Sequence, residues 1–371
     1  MKLLQANESD NDRLRQFFSH TIWPGPVQLR FERRENFFTQ YKNQSDDFVT
    51  LMLTDKTETN ILGMATLVFR EGVLDGQNQI IGYATDLRVA NSRRAVLQWS
   101  QHFLPVLEKE LNARNCNYVF SVVSRHQRQA YNAFIRPRSP KRQLPRYYLF
   151  RRFDIVGLHG LWPFAAKPLP GITIHSAVDS ELPEVCTYIH RRKKIQPMYF
   201  GRSPEEIYEQ IRRWQSLETS DFLVARDSQR NIIGCVAPWS SRKIQRVSVG
   251  NLDAKGRTFS DTLRMLSLLG IAHRLPMPGS PLPINYLTHL FADNPDIFYS
   301  LLYNAWKRLN KSEVLAYPHF ETHIQNVPPR SFISSKTSCG LYCVMPPNVA
   351  PPSFLKPTAL GEPPDFELPF L

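Results

Sequence analysis

Two stretches of this chain end almost identically and sit half a chain apart. Asp55 to Gly63 closes on Asn60-Ile61-Leu62-Gly63, and Asp227 to Gly234 closes on Asn231-Ile232-Ile233-Gly234, each between two β-rich runs. The offset is 171 in a chain of 371 residues, a length that itself favours two domains over one. Matching element order around the two stretches makes two copies of one fold the expected architecture, rather than two unrelated domains.

The first copy reads as an αβ mixture. Apolar spacing predicts helices over Asn11 to Trp23 and Leu29 to Tyr41. Runs Phe48 to Thr54 and Ile61 to Arg70, parted by a polar turn, predict a hairpin, and Ile80 to Val89 a third strand. Val96, Trp99, Phe103, Val106, Leu107 and Leu111 share one face of a long helix over Ala95 to Ala113. Strand Tyr118 to Val123, helix Gln127 to Arg136 and strand Tyr147 to Val156 complete it. Residues 157–171, rich in Gly, Pro and aromatics, read as a linker. The second copy then opens with strand Ile172 to Ala177, helix Glu181 to Arg192, and helix Pro204 to Leu217, which Ser203 and Glu206 start as a capping box. Strands Phe222 to Ala225 and Ile232 to Ala237 follow. After an insertion at about Lys255 to Pro283 come strand Ile284 to Phe291 and helix Pro295 to Leu309. The last 26 residues hold eight prolines and predict an extended tail. The expected domains are therefore 1–156, 172–345 with a linker between, and a tail at 346–371.

The 46 Lys+Arg and 33 Asp+Glu leave a net charge of +13, and 24 of the basic residues against 15 acidic ones fall in residues 1–171. An anionic partner is expected. Arg125 to Arg152 alone holds nine basic residues and no acidic one, with Tyr131, Phe134, Tyr147, Tyr148 and Phe150 interleaved, a composition open to cofactor phosphates, an acidic substrate, plain surface charge or nucleic acid. Five cysteines, an odd and small number, argue against a disulfide framework and for a reducing compartment. With no basic-then-apolar leader at Met1 to Asp10 and no membrane-length apolar run, the expectation is a cytoplasmic protein with no membrane partner.

Other chemistry is thin. His319-Phe320-Glu321-Thr322-His323 would align three ligating side chains on one strand face, but a further ligand is not evident and no metal site is assigned. Cys339 and Cys343 lack a second pair at zinc-finger spacing and read as strand cysteines. Neither a phosphate-binding Gly-x-x-x-x-Gly-Lys-Ser/Thr loop nor a Gly-x-Ser-x-Gly elbow occurs, so nucleotide hydrolysis and serine hydrolysis drop out.

The stretch Gly82-Tyr83-Ala84-Thr85-Asp86-Leu87-Arg88-Val89-Ala90-Asn91-Ser92-Arg93-Arg94, a strand running through a basic turn into the long helix, resembles motif A of the GNAT superfamily of acyl-CoA N-acyltransferases. The resemblance covers most of residues 1–156. It implies an α/β (α+β mixed-sheet) fold in two tandem GNAT-like copies, and acetyl-CoA or another acyl-CoA as co-substrate. The implied activity is acyl transfer, as an N-acetyltransferase, to a small-molecule or peptide amine. Placed on the motif, Leu87, Arg88 and Val89 supply the strand that pairs with the pantetheine. Arg94, Ala95, Val96 and Leu97 supply the turn whose backbone N–H groups hold the pyrophosphate at a helix start. Leu97 and Trp99 stand where the family has glycine or alanine. A general acid is not assigned, because aligning the helix on Ala130 puts Phe134 at the family's tyrosine; Asp86 and His126 are chemically able to act as base. Tyr286 to Pro295 takes the motif's place in the second copy, with Asp293 or Asn294 as helix cap and no Arg-Gly turn, so that copy is expected to be degenerate. A non-catalytic binding module on the same fold and a basic nucleic-acid-binding protein are the competing readings.

Overall fold

The computed structural model describes residues 1–90, 92–127, 131–135, 144–347, 349–355 and 361–371. Its strands in the first half are β1 (Lys2–Gln5), β2 (Ile22–Trp23), β3 (Val27–Arg33), β4 (Phe48–Thr54), β5 (Ile61–Leu74), β6 (Gln77–Val89), β7 (Tyr118–Ser124) and β8 (Arg146–Leu161). The second half contributes β9 (Thr173–Ser176), β10 (Met198–Phe200), β11 (Leu223–Arg226), β12 (Ile232–Ser240), β13 (Gln245–Leu252), β14 (Ile284–Ala292), β15 (Val314–Phe320) and β16 (Phe332–Met345).

One large sheet runs β1-β4-β5-β6-β7-β16-β8-β15-β14-β12-β11-β9, with β10 alongside the end of β5, and β13-β3-β2 form a separate small sheet. The order of the large sheet is a palindrome. From either edge the strands correspond as β1 with β9, β4 with β11, β5 with β12, β6 with β14 and β7 with β15, and among the described residues only β6–β7 and β14–β15 are parallel pairs. The two halves then exchange their last strands. β16, from the end of the second half, lies against β7, while β8, from the end of the first, lies against β15. A long β16–β8 ladder joins them at the centre, from Phe332↔Leu161 to Met345↔Arg146.

The repeated tetrapeptides occupy equivalent places at the starts of β5 and β12. Both turns are built alike: the Asp55 carboxylate accepts from the Thr59 N–H and the Asn60 amide, and the Asp227 carboxylate from the Asn231 N–H and amide. The long helix Arg93–Ala113 covers one face of the first half, where Trp99, Phe103, Leu107 and Leu111 pack on Leu53, Leu67 and Val119. Helix Pro295–Lys307 does the same in the second half, with Ile297, Phe298, Leu301 and Leu302 against Val236 and Leu315.

Three expectations need correction. Leu29 to Tyr41 is not a helix: β3 occupies Val27–Arg33 and only Thr39–Lys42 is helical. Val27, Leu29 and Phe31 alternate with Gln28, Arg30 and Glu32, a period of two that a strand satisfies. Gly157 to Leu161 is not linker but the end of β8, paired with Ser335 to Phe332. The chain end is not a free tail, because Pro363, Pro364, Asp365, Leu368, Pro369 and Phe370 are buried. Its apolar residues have a core to enter: Phe366 packs among Tyr83, Phe153 and Phe320, and Phe370 lies 4.5 Å from the Trp214 ring.

Candidate functional site

The two parallel pairs come apart. β6 pairs with β7 only from Ile81↔Tyr118 to Ala84↔Ser121, although β6 runs on to Val89 and β7 to Ser124. β14 leaves β15 after Tyr286↔Ala316 in the same way. Each departing strand carries a bulge at one equivalent residue. The β5–β6 register skips between Met64↔Arg88 and Thr66↔Thr85, with Asp86 at φ +54°, and the β12–β14 register skips between Cys235↔Phe291 and Ala237↔Thr288, with His289 at φ +49°. Positive φ costs a residue with a side chain about 1–3 kcal/mol and persists where surroundings enforce it; a bulge bends the strand and re-aims its side chains. The bulges align Tyr83-Ala84-Thr85-Asp86-Leu87 with Tyr286-Leu287-Thr288-His289-Leu290. This second shared pattern, Tyr-x-Thr-x-Leu, was visible in the sequence as a further internal repeat.

At the first bulge the chemistry is locked. The Asp86 carboxylate accepts from the Arg33 guanidinium and from the Tyr41 hydroxyl, both at 2.7 Å, and the Arg33 and Asp86 side chains are 0% and 2% exposed. Arg33 also donates to the side-chain oxygens of Gln40 and Gln245. Burial, and then the Asp86 charge, pushes the Tyr41 hydroxyl far above its ordinary pKa. Asp86 is thus one half of a buried ion pair that joins β6, β3 and β13. A carboxylate so held is not available as a base. His126, the other sequence candidate, is exposed just past the end of β7, its backbone N–H donating to the Ser124 hydroxyl at 3.3 Å.

Of the residues placed on motif A, Leu87 and Val89 lean toward the long helix, while Arg88 turns to the opposite face, its guanidinium over the Phe18 and Trp23 rings. Ser92 caps the helix: its hydroxyl accepts from the Ala95 N–H at 3.1 Å and its carbonyl from the Val96 N–H at 3.1 Å. Arg93 and Arg94 stand exposed on the first turn, which has no acidic residue, and Leu97 is half-buried. Trp99 does not crowd the turn. It is buried inward against Gly63, where an added Cβ would sit 3.0 Å from its ring. The helix start therefore keeps a positive dipole end with two exposed arginines, a setting that fits a pyrophosphate. Tyr131 lies in a single helical turn, Tyr131–Ile135. Arg128, Ala130, Arg136, Arg138, Lys141 and Arg142 fall outside the described residues, as does the Phe134 side chain. Of the interleaved aromatics, Phe150 is fully buried in the core, which removes it as a stacking surface.

Beside the end of β6, on the face away from the long helix, lies a cavity of about 380 Å³, with Leu368, Pro369 and Leu371 of the chain end in its wall. Its floor is Asp86 and Arg88 of β6, Ile155 and Gly157 of β8, Ser335 and Thr337 of β16, and Ile284 and Tyr286 of β14; Val27, Leu29 and Phe31 of the small sheet and Phe259 roof it. Sequence reading missed it, since its walls come from both halves and each wall residue reads locally as core. His159 on its edge lies 2.8 Å from the Ser335 hydroxyl, and burial, then the neighbouring His273, pushes its pKa down to about 4, so the ring is neutral at physiological pH.

The related place in the second half is filled. Residues 362–367 lie against Leu287 to Ala292 of β14 and Pro318 and Phe320 of β15, leaving about 60 Å³. The N–H of the bulge residue His289 donates to Glu367 at 3.3 Å. Asp365 accepts from Lys193 at 2.7 Å and from the Phe200 N–H at 2.9 Å, both buried. The helix start beyond is acidic: Asn294 caps the Asp296 and Ile297 N–H groups, and Asp293 is bound by the Tyr188 hydroxyl. His319, Glu321 and His323 do not share a strand face, because β15 ends at Phe320 and the chain turns, the His323 N–H reaching the Phe320 carbonyl at 2.9 Å. Among the described residues no cluster of His, Cys, Asp or Glu could hold a metal ion, and Cys339 and Cys343 are buried free thiols.

A palindromic sheet with two split parallel pairs, one open and one filled, defines the tandem GNAT-like fold. No family model and no curated protein matches the sequence. Solved structures do. A crystal structure of Saccharomyces cerevisiae N-myristoyltransferase with bound myristoyl-CoA and inhibitors superposes with a TM-score of 0.55 at 10% identity, covering 93% of this chain and 80% of that one. Another of the same enzyme with bound myristoyl-CoA gives 0.53 at 11% identity, over 92% and 82%. The chain has the fold of the N-myristoyltransferases across nearly its whole length.

Proposed function

We propose that this protein transfers an acyl group from an acyl-CoA to an amine. The observation that carries the reading is the open split between β6 and β7, with the Arg93–Ala113 helix start on one side and the apolar cavity on the other. In this reading the CoA pyrophosphate rests on the first turn of the helix, Arg94 to Leu97, and the pantetheine lies along Leu87 to Val89. The thioester then meets the cavity from the helix side, so the cavity takes the acceptor. The amine nitrogen forms a bond to the thioester carbonyl carbon, the C–S bond breaks, the nitrogen gives up a proton and the CoA sulfur leaves as thiolate. Walls that are mostly apolar, with a few polar groups such as Ser335 and Thr337 on the floor, suit a peptide amine with apolar neighbours. The second half, with its split filled by residues 362–367, serves as a wall of the acceptor site.

Titration calorimetry with acetyl-CoA and with myristoyl-CoA tests the donor side and separates a short from a long acyl chain. Absence of binding of either at millimolar ligand, in a folded sample, refutes the transferase reading and favours a non-catalytic module. If CoA compounds bind, Arg94→Ala should weaken them about tenfold or more, and Arg30→Ala, exposed on β3, should not.

A further inference from the structure

We propose that the end of the Ala254–Leu268 helix and the turn beside it dock the protein on an anionic lipid bilayer. This helix has two distinct faces. Gly256, Phe259 and Leu263 point inward, the first two onto the cavity. Arg257, Asp261, Arg264, Met265 and Leu268 fall on the outward face at helical spacing, and all five are exposed. Leu269 and Gly270, at φ +70°, end the helix, and the chain then meets β8: Gly160 bridges Ala272, and the Leu161 N–H donates to the Ile271 carbonyl at 3.0 Å. Three residues past Leu161, Phe164 stands 80% exposed, stacked on Trp162 at 5.8 Å. Leu268 is 83% exposed, and Met265, Leu269 and Met277 are nearly as open.

Single exposed apolar side chains are ordinary; five on segments joined by one bridge are not. They stand at a helix end, a turn and a loop, as projections rather than as the walls of a groove. Around them Lys167, Arg264 and Arg274 are exposed, and among the described residues none of the three is in an ion pair. Projecting aliphatic and aromatic groups ringed by free cations match the boundary between acyl chains and anionic headgroups. Peripheral docking requires no spanning helix, and among the described residues no helix is long and apolar enough to cross a membrane. The docking does not depend on the catalytic reading.

The test is co-sedimentation of the full chain with vesicles of phosphatidylcholine alone and of phosphatidylcholine mixed with phosphatidylserine. Binding to the mixed vesicles is expected, weaker by about tenfold or more on phosphatidylcholine alone. A comparable loss is expected for the double variant Leu268→Glu with Leu269→Glu and, separately, for Phe164→Ser. Arg264→Ser with Arg274→Ser should weaken binding and flatten its salt dependence. All these sites are exposed, so an unchanged urea midpoint shows that each variant is folded. Failure of the folded wild type to bind mixed vesicles overturns the proposal, as does equal binding by the Leu268/Leu269 variant. A wild-type dimer that the same variant converts to monomer assigns the patch to a second copy, and also overturns it.

Discussion

Replacing Asp86 with Asn separates structure from catalysis at the bulge. The substitution keeps the shape and an acceptor oxygen for Tyr41, but it removes the charge that faces Arg33, whose side chain is 0% exposed. The remaining oxygens on that guanidinium, from Gln40 and Gln245, are neutral. Leaving one partner of a buried pair uncompensated costs about 3–5 kcal/mol. With a urea dependence near the upper end of the common range, roughly 3 kcal/mol per molar, the midpoint should fall by about 1–2 M. The pair itself need not be stabilising relative to apolar residues. If acyl transfer is measurable, Asp86→Asn should retain kcat per folded molecule to within about tenfold and keep the shape of the pH profile. Loss of a general base costs about 10²–10⁴-fold and removes the acidic limb. An unchanged midpoint with a hundredfold fall in kcat would refute the locked-pair reasoning.

Two further outcomes follow from packing and charge. Glu367 has its carboxyl pKa pushed up to about 7, chiefly by burial, so its contribution to stability is greatest below its unfolded value near 4.5 and is lost as pH rises through 7. Glu367→Gln should flatten the decline in urea midpoint between about pH 5 and pH 8, and a slope identical to wild type would count against the carboxyl's being buried on β14. Gly256→Ala should destabilise by about 1–3 kcal/mol, because the new Cβ would fall 2.1 Å from the Pro26 carbonyl oxygen and only backbone movement relieves it; thermal unfolding measures this, and a neutral result would mean the helix stands off the cavity roof.

The local elements were legible because their periods were. The long helix could be read from Trp99, Phe103, Leu107 and Leu111 at intervals of four, and the β4–β5 hairpin from the Asp55 to Asn60 turn between two apolar runs. β3 was misread where Phe37, Phe38 and Tyr41 drew the helical pattern back over Val27–Arg33, although alternation there was the better match. The exchange of β8 and β16 had no local sign, since Leu161 pairs with Phe332 and Arg146 with Met345, and strand pairing is not encoded in period. Prolines in the last 26 residues excluded helix and ladder, but they did not exclude burial, which Phe366, Leu368 and Phe370 drive.

The candidate site was half legible for a physical reason. Helix-start chemistry is local, so the resemblance to motif A placed Arg94 and Ala95 at the start of the long helix, whose cap, Ser92, the structure adds. The split of β6 from β7 and the cavity beyond it depend on what the other half of the chain does at the same place. The fold gives two equivalent splits, and the chain end meets both: residues 362–367 fill the second, while Leu368, Pro369 and Leu371 line the cavity beside the first. In the second half Lys193 and the His289 N–H receive Asp365 and Glu367. At the corresponding bulge of the first half, Arg33 already holds Asp86, and a further carboxylate would meet a like charge. The two bulge residues thus differ in what they offer the chain end: a carboxylate already held by Arg33 in one, a backbone N–H that binds Glu367 in the other.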